Sequence, residues 1–436
     1  METPIYNRLS EYHRQDRIPF AMPGHKNMRG LDLNFGMCDV TELSKTLNLM
    51  GDDKTIMRAN ELLSELYGSQ ESFILTCGST SAVQAMILSC VNPGDTLLVT
   101  SDCHISVINI CAIAGIKIKL VKTITEKDVT SEINGIFVTS PNYYGVIKDI
   151  RKISDIAIRF GIPLMVDEAH GAHFMGKCGI PRTAVGLGAD MVCQSAHKTL
   201  NALTGAAYLH IASDRVNKDR VKRSIKAVHT TSPSYMIAAS ADIARATLAD
   251  MDYSDIVKEC NEFKKALGKT LVRFRENDDP TRLVLDFSAY ETTGFDVARK
   301  LSEYYGTDVE MADLKNIVLI ITPYNKHSDF ITLFKGIREI LREEKLSENK
   351  KSFPKLPDIS GVISPQCGWF RKTEQIDIED AVGRISAQTV SVYPPGTAVI
   401  VTGDTVKESA VIYIKTVLMY GAEVTGVSDG KIEVVV

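Results

Sequence analysis

Residues 72–76 (SFILT), 81–91 (SAVQAMILSCV), 96–100 (TLLVT), 105–115 (ISVINICAIAG), 135–140 (GIFVTS) and 150–161 (IRKISDIAIRFG) set a rhythm of short apolar runs and helical patterns. The rhythm continues through 163–169 (PLMVDEA), 190–195 (DMVCQS) and 206–211 (AAYLHI). Turn signals punctuate it, NPGD at 92–95 and FGIP at 160–163. A strand buried on both faces is apolar throughout, and helices between such strands cover the two faces of a parallel sheet. The stretch predicts an α/β fold with a large, mostly parallel sheet, in a large domain over residues 71–265.

Outward from this stretch the pattern changes. Residues 1–70 read as an N-terminal segment. Its helix, near 54–67, places Ile56, Ala59, Leu62, Leu63 and Leu66 on one face, with Gly68 as its stop. On the C-terminal side, TRLVLDF (281–287) and NIVLIIT (316–322) read as strands and residues 329–346 as a helix. They predict a smaller α/β domain over 266–346. The polar, Pro-containing SENKKSFPKLPD (347–358) reads as a linker. A small C-terminal domain over 359–436 carries the apolar runs TAVIVTG, ESAVIYIKTVLMYG and KIEVVV.

Composition narrows the function classes. Of 436 residues, 44% are hydrophobic and 24% charged, which excludes a disordered or fibrous chain. Fifty basic residues against 54 acidic ones give a net charge of −4, so there is no basic excess for nucleic acid. Residues 1–20 hold no apolar core of signal-peptide length, and no run approaches the roughly 20 apolar residues of a spanning helix. No membrane role is expected. The nine cysteines are scattered without a C-x-x-C, which predicts buried free thiols in a reducing cytoplasm.

Several motifs compete around residue 167. Asp167-Glu168-Ala169-His170 spells a helicase DEAH box, and Gly171–Cys178 nearly spells a phosphate loop. Cys178 cannot supply the hydroxyl that Mg²⁺ needs, GIPRT follows instead of a helix, and the two boxes stand in reversed order. Asp167, Glu168, His170 and His173 offer metal-ligand types, but a strand running into a Gly turn gives their spacing no common face, and no metal is expected. A third reading absorbs more residues. Lys198 follows the buried strand DMVCQ, at the sheet edge where α/β ligands bind, and Asp167 ends the strand PLMV. A partly buried lysine suits a Schiff base, and a buried aspartate suits the pyridine nitrogen of pyridoxal phosphate. The turn Cys77-Gly78-Ser79-Thr80-Ser81 opens a helix and offers N–H groups and hydroxyls to a phosphate. Read singly, that turn is an ordinary helix cap and Asp167 a strand-end acid.

The motifs Pro23-Gly24-His25-Lys26, Gly78-Ser79-Thr80, Asp102-Cys103-His104, Ser140-Pro141-Asn142-Tyr143-Tyr144-Gly145, Asp167-Glu168-Ala169-His170-Gly171 and Ser195-Ala196-His197-Lys198 run along the chain. Thr231-Ser232-Pro233-Ser234-Tyr235, Gly383-Arg384-Ile385-Ser386 and Tyr393-Pro394-Pro395-Gly396 continue them. Together they resemble the Orn/Lys/Arg decarboxylases of the shorter bacterial form, among the fold-type I pyridoxal-phosphate enzymes. The resemblance implies that Lys198 forms the internal aldimine, Asp167 pairs with the pyridine nitrogen, and His104 stacks on the ring. Ser79, Thr80, Ser195 and His197 would hold the phosphate, with His170 near the ring hydroxyl. Thr231 and Ser232 would reach a neighbouring subunit's cofactor, making a homodimer the smallest active unit. Without the resemblance, His104 reads as a core or helix-start histidine.

The implied reaction is decarboxylation of arginine, lysine or ornithine to the amine, for polyamine synthesis. Glu310 and Asp313, in DVEMADLKN, are candidates for the distal cation of the substrate, with a solvated loop as their plain alternative. Spacing does not separate the three substrates. Another fold-type I reaction, transamination or elimination, is one alternative. A homologue kept as a binding or regulatory protein is the other. One segment departs from the family: its usual Leu-Asp-Asp-Leu-His reads here Thr46-Leu47-Asn48-Leu49-Met50-Gly51-Asp52-Asp53.

Overall fold

A computed structural model describes residues 2–14, 39–347, 353–357, 359, 361–393 and 397–436. Pro23-Gly24-His25-Lys26, Cys38, Pro394-Pro395-Gly396 and much of the 347–358 segment lie outside the described residues. The chain divides into two compact units. The first comprises Met1–Val91, Gly135–Pro141 and Lys148–Asp252, and the second Asn92–Asn134, Asn142–Ile147 and Tyr253–Val436.

In chain order the elements that matter begin with α1 (Pro4–Arg14), α2 (Lys54–Tyr67), β1 (Glu71–Leu75) and α3 (Gly78–Cys90). Then come β2 (Thr96–Thr100), α4 (Ile105–Ala114), β3 (Lys117–Val121), β4 (Ile133–Thr139) and α5 (Ile150–Phe160). β5 (Leu164–Asp167), β6 (Met191–Gln194), the single-turn α6 (Ala196–Thr199), β7 (Ala207–Ile211), α7 (Lys218–Val228) and α8 (Tyr235–Leu248) follow.

In the first unit the strands lie in the order β1-β7-β6-β5-β4. β4, β5 and β6 are parallel, as expected. β7 departs from that pattern, because it pairs antiparallel with both β6 and β1. The reason is the short connection Ser195–Ala206, whose only helix is one turn, whereas a parallel return needs a full crossover. Every residue of β5, β6 and β7 is buried. α2 forms where its apolar spacing places it, with Ile56, Ala59, Leu63 and Tyr67 buried. Asp53 caps its first turn and Gly68, at φ 68°, ends it in the left-handed conformation that glycine tolerates.

The second unit holds the parallel pair β2–β3, with Gly361–Ile363 antiparallel against β3. It also holds an antiparallel four-stranded sheet built on Arg282–Asp286 and Asn316–Ile320. Its C-terminal part packs the helix Glu408–Met419 and short antiparallel strands around Val390, Val399, Ile414, Val417 and Ile432.

The eight described cysteines are free, and four of them are buried: Cys103, Cys111, Cys193 and Cys260. Cys178 corrects the expectation of buried thiols, since it is exposed in a loop at φ 65° between Lys177 and Gly179, outside any apolar run. No helix among the described residues is long and apolar enough to cross a membrane.

Candidate active site

Asp167 is the last residue of β5, and Lys198 lies in the turn of helix that leaves β6. The two strands are parallel neighbours with Asp167 opposite Cys193, so both residues emerge at the carboxyl edge of the sheet. Asp167 is 4% exposed. Its Oδ1 accepts the N–H of Ala169 at 3.0 Å and faces the Cys193 thiol at 3.6 Å. Burial, with Asp167 alongside, pushes that thiol far above its ordinary range, so Cys193 remains protonated. Lys198 Nζ stands 3.1 Å from Nε2 of His170, which is also buried.

The turn after β1 forms the second part of the site. α3 starts at Gly78 without a side-chain cap, so the N–H groups of its first turn point outward. Gly78, at φ 70°, donates its N–H to the carbonyl of Gly205 at 2.8 Å. Ser195 Oγ, fully buried, donates to Ser79 Oγ at 2.7 Å. Two hydroxyls, the adjacent Thr80 and an uncapped helix end form a donor set that suits a phosphate. His197 Nδ1 is 3.0 Å from the carbonyl of Ala206. A lysine amine, a buried carboxylate and a phosphate cradle on one unit fit pyridoxal phosphate.

Thr231 and Ser232 are exposed in the turn between α7 and α8. Just beyond them, Tyr235 fixes the segment that departs from the family. Its hydroxyl donates to the Leu47 carbonyl at 2.8 Å and accepts the Leu49 N–H at 3.2 Å.

His104, Glu310 and Asp313 belong to the second unit. His104 is exposed and starts α4, its Nδ1 accepting the Ser106 N–H at 3.2 Å. Tyr143 Oη donates to Glu310 at 3.2 Å, and Tyr144 Oη donates to Asp313 Oδ2 at 2.7 Å. Asp313 Oδ1 also accepts the N–H groups of Lys315 and Asn316, which closes the turn before the strand Asn316–Ile320.

Glu168 was not singled out for the pyridoxal-phosphate site by the sequence. It is 2% exposed, and its carboxylate accepts from Thr183 Oγ1, the Ala184 N–H and Gln194 Nε2 at 2.6–2.7 Å. The available signal was polarity inside apolar strands: Gln194 ends MVCQ, and His210 interrupts AYLHI.

Residues 3–118 and 116–284 match the Orn/Lys/Arg decarboxylase major domain, and residues 364–429 match the Orn/Lys/Arg decarboxylase C-terminal domain. The chain belongs to the Orn/Lys/Arg decarboxylase family, and with it to the pyridoxal-phosphate-dependent amino-acid decarboxylases. Among its relatives, arginine decarboxylase of Bacillus subtilis is 28% identical over 100% of this chain and 97% of its own. The uncharacterized protein YaaO of the same organism is 31% identical over 98% of this chain and 96% of its own. The fold matches the crystal structure of Francisella novicida lysine decarboxylase with a TM-score of 0.80, at 17% identity, over 99% of this chain and 80% of that one.

Proposed function

We propose that this enzyme decarboxylates a basic amino acid, arginine foremost, to the corresponding amine. The observation that carries the reading is the placement of Asp167 at the end of β5 and of Lys198 in the helical turn after its parallel neighbour β6, with His170 3.1 Å from the lysine amine. Arginine is favoured over lysine by the name of the Bacillus subtilis relative that matches along the whole chain. The lysine decarboxylase likeness, at 17% identity, extends to the fold alone.

Bound pyridoxal phosphate supplies an electron sink for the pair left behind when CO₂ departs. Lys198 would hold it through Nζ, and Asp167 would keep a proton at the ring nitrogen. His170 orients Nζ and exchanges a proton with it. The first turn of α3, with Ser79, Thr80, Ser195 and His197, would hold the phosphate, and family likeness would put His104 on the ring face. Decarboxylation consumes one proton at Cα, which Lys198 or a neighbouring histidine would deliver. Glu310 is the better candidate for the substrate's distal cation, because Asp313 already closes a turn with Oδ1 and binds Tyr144 with Oδ2. The exposed Thr231–Ser232 turn supports a homodimer in which each subunit completes its neighbour's site. Free thiols support a cytoplasmic location, and the amine product supports a role in polyamine synthesis.

A cofactor titration followed by visible absorption tests the assignment. Wild type is expected to gain the band of lysine-bound cofactor, and Lys198→Ala to bind cofactor without that band and without CO₂ release. A Lys198→Ala protein that keeps both would refute the site.

A further inference from the structure

Glu168 lies at the inner end of a buried hydrogen-bonded chain that the reaction does not use. Gln194 Nε2 donates to Glu168 Oε2 at 2.6 Å, and Gln194 Oε1 is 3.2 Å from Nε2 of His210. His210 Nδ1 is 2.8 Å from Ser72 Oγ, which is 2.6 Å from Ser69 Oγ. Gln194, His210 and Ser72 are fully buried. Ser69 and Ser72 line a cleft of about 1020 Å³ between α2, β1 and α7.

The direction of every bond follows from the inner end. Where Glu168 is ionised its carboxylate only accepts, so Gln194 then presents its NH₂ to Glu168 and its carbonyl oxygen to His210. His210 therefore carries its proton on Nε2, Nδ1 accepts from the Ser72 hydroxyl, and Ser72 accepts from Ser69. Burial pulls His210 down to about 3, which keeps the ring neutral as this polarity requires. Burial pushes Glu168 up to about 7, against the three donors that favour its charged form.

The same residue belongs to the turn that carries Asp167 and His170, and its backbone closes that turn. The Glu168 N–H donates to the Cys193 carbonyl at 2.9 Å, and its own carbonyl accepts the Gly171 N–H at 2.8 Å. A Cβ on residue 171 would stand 2.6 Å from Glu168 Cγ, so the Glu168 side chain lies directly beneath that glycine. We infer that Glu168 is a positioning residue for the Asp167–His170 turn, and that its carboxylate fixes the donor direction of the chain out to Ser69. The positioning half rests on Asp167 and Lys198 holding the cofactor. The direction half does not, so the two fail separately.

The experiment reads the His210 tautomer by ¹⁵N NMR of histidine-labelled protein, without and with pyridoxal phosphate, and the cofactor dissociation constant by absorption. Above pH 7, where Glu168 is ionised, wild type is expected to show the Nε2–H form. Glu168→Gln presents an NH₂ where the carboxylate was, so Gln194 must turn over and His210 must move its proton to Nδ1. Cofactor affinity is expected to fall about tenfold. The exchange Glu168→Gln with Gln194→Glu puts a carboxylate back in reach of His210, and should restore the Nε2–H form and bring affinity to within about threefold of wild type. Ser72→Ala, which spares Glu168, should leave the Nε2–H form in place. An unchanged tautomer in Glu168→Gln, or a changed one in Ser72→Ala, would overturn the direction. Cofactor affinity unchanged in Glu168→Gln, or not recovered in the double variant, would overturn the positioning role.

Discussion

Asp167 reaches its place through the sheet register: it closes β5 opposite Cys193 of β6, one short turn from Lys198. Removing that carboxylate would spare the proposed phosphate cradle but take away the charge proposed to hold a proton on the ring nitrogen. Asp167→Ala should keep measurable cofactor binding and lose roughly 10²–10³-fold in CO₂ release, the size of a lost preorganised electrostatic contact. Undiminished turnover would remove Asp167 from the mechanism. Gly171 is constrained by space, with Phe174 ring atoms 2.8 Å from where a Cβ would stand, in addition to the Glu168 side chain. Gly171→Ala should cost about 1–3 kcal/mol of stability, seen as a lower urea midpoint, because the core beneath it cannot give way freely. His210 predicts a pH dependence. Its folded-state value is pulled below the unfolded one, from 6.5 to about 3. The unfolded chain therefore binds a proton that the folded chain refuses. The stabilisation is complete above pH 6.5 and is lost as pH falls toward 3, at about 1.4 kcal/mol per unit. Between pH 7 and pH 5 the stability advantage of wild type over His210→Gln should shrink by about 2 kcal/mol. Parallel urea midpoints for the two proteins at both pH values would contradict it.

The elements that follow simple periodicity were legible in the sequence, as was the placement of the residues proposed for the site at their ends. β5 and β6 are unbroken apolar runs, and their ends carry Asp167 and, one turn on, Lys198. β3 was not legible as part of that rhythm, because KIKLV alternates lysines with apolar residues and only Ile118 and Leu120 are buried. The helix Glu408–Met419 is rich in β-branched residues that favour strands, yet Ala410, Val411, Ile414 and Val417 share one buried face. Tertiary packing overrides propensity there. The reversed β7 depends on a connection length that only the fold makes meaningful. The Glu168 chain was hidden because its members lie far apart in sequence, from Ser69 to His210. Segment 46–53, which departs from the family pattern, is built into this scaffold. Asp53 accepts the N–H groups of Thr55 and Ile56 as the cap of α2, and Tyr235 binds both Leu47 and Leu49. Asp53→Ala should lower stability by about 1 kcal/mol, the ordinary worth of such a cap, and leave the order of substrate preference unchanged. A changed preference would give the segment a direct part in the substrate pocket.

Across the whole molecule, the proposed homodimer divides each site between subunits, with Lys198 supplied by one and the exposed Thr231–Ser232 turn by the other. Two inactive chains of different kinds should then complement each other. Mixing Lys198→Ala protein with a Thr231→Ala, Ser232→Ala double variant, then allowing exchange, should recover about a quarter of wild-type activity, since half the dimers are mixed and each holds one intact site. No recovery from fully exchanged mixtures would contradict shared sites. As proposed, this family member releases CO₂ from a basic amino acid through Lys198. The most direct measurement is CO₂ release from arginine, lysine and ornithine by the cofactor-loaded protein, run beside Lys198→Ala. Release from arginine is expected to exceed that from the other two and to be abolished in the variant. Release from none of the three, or equal release by Lys198→Ala, would contradict it.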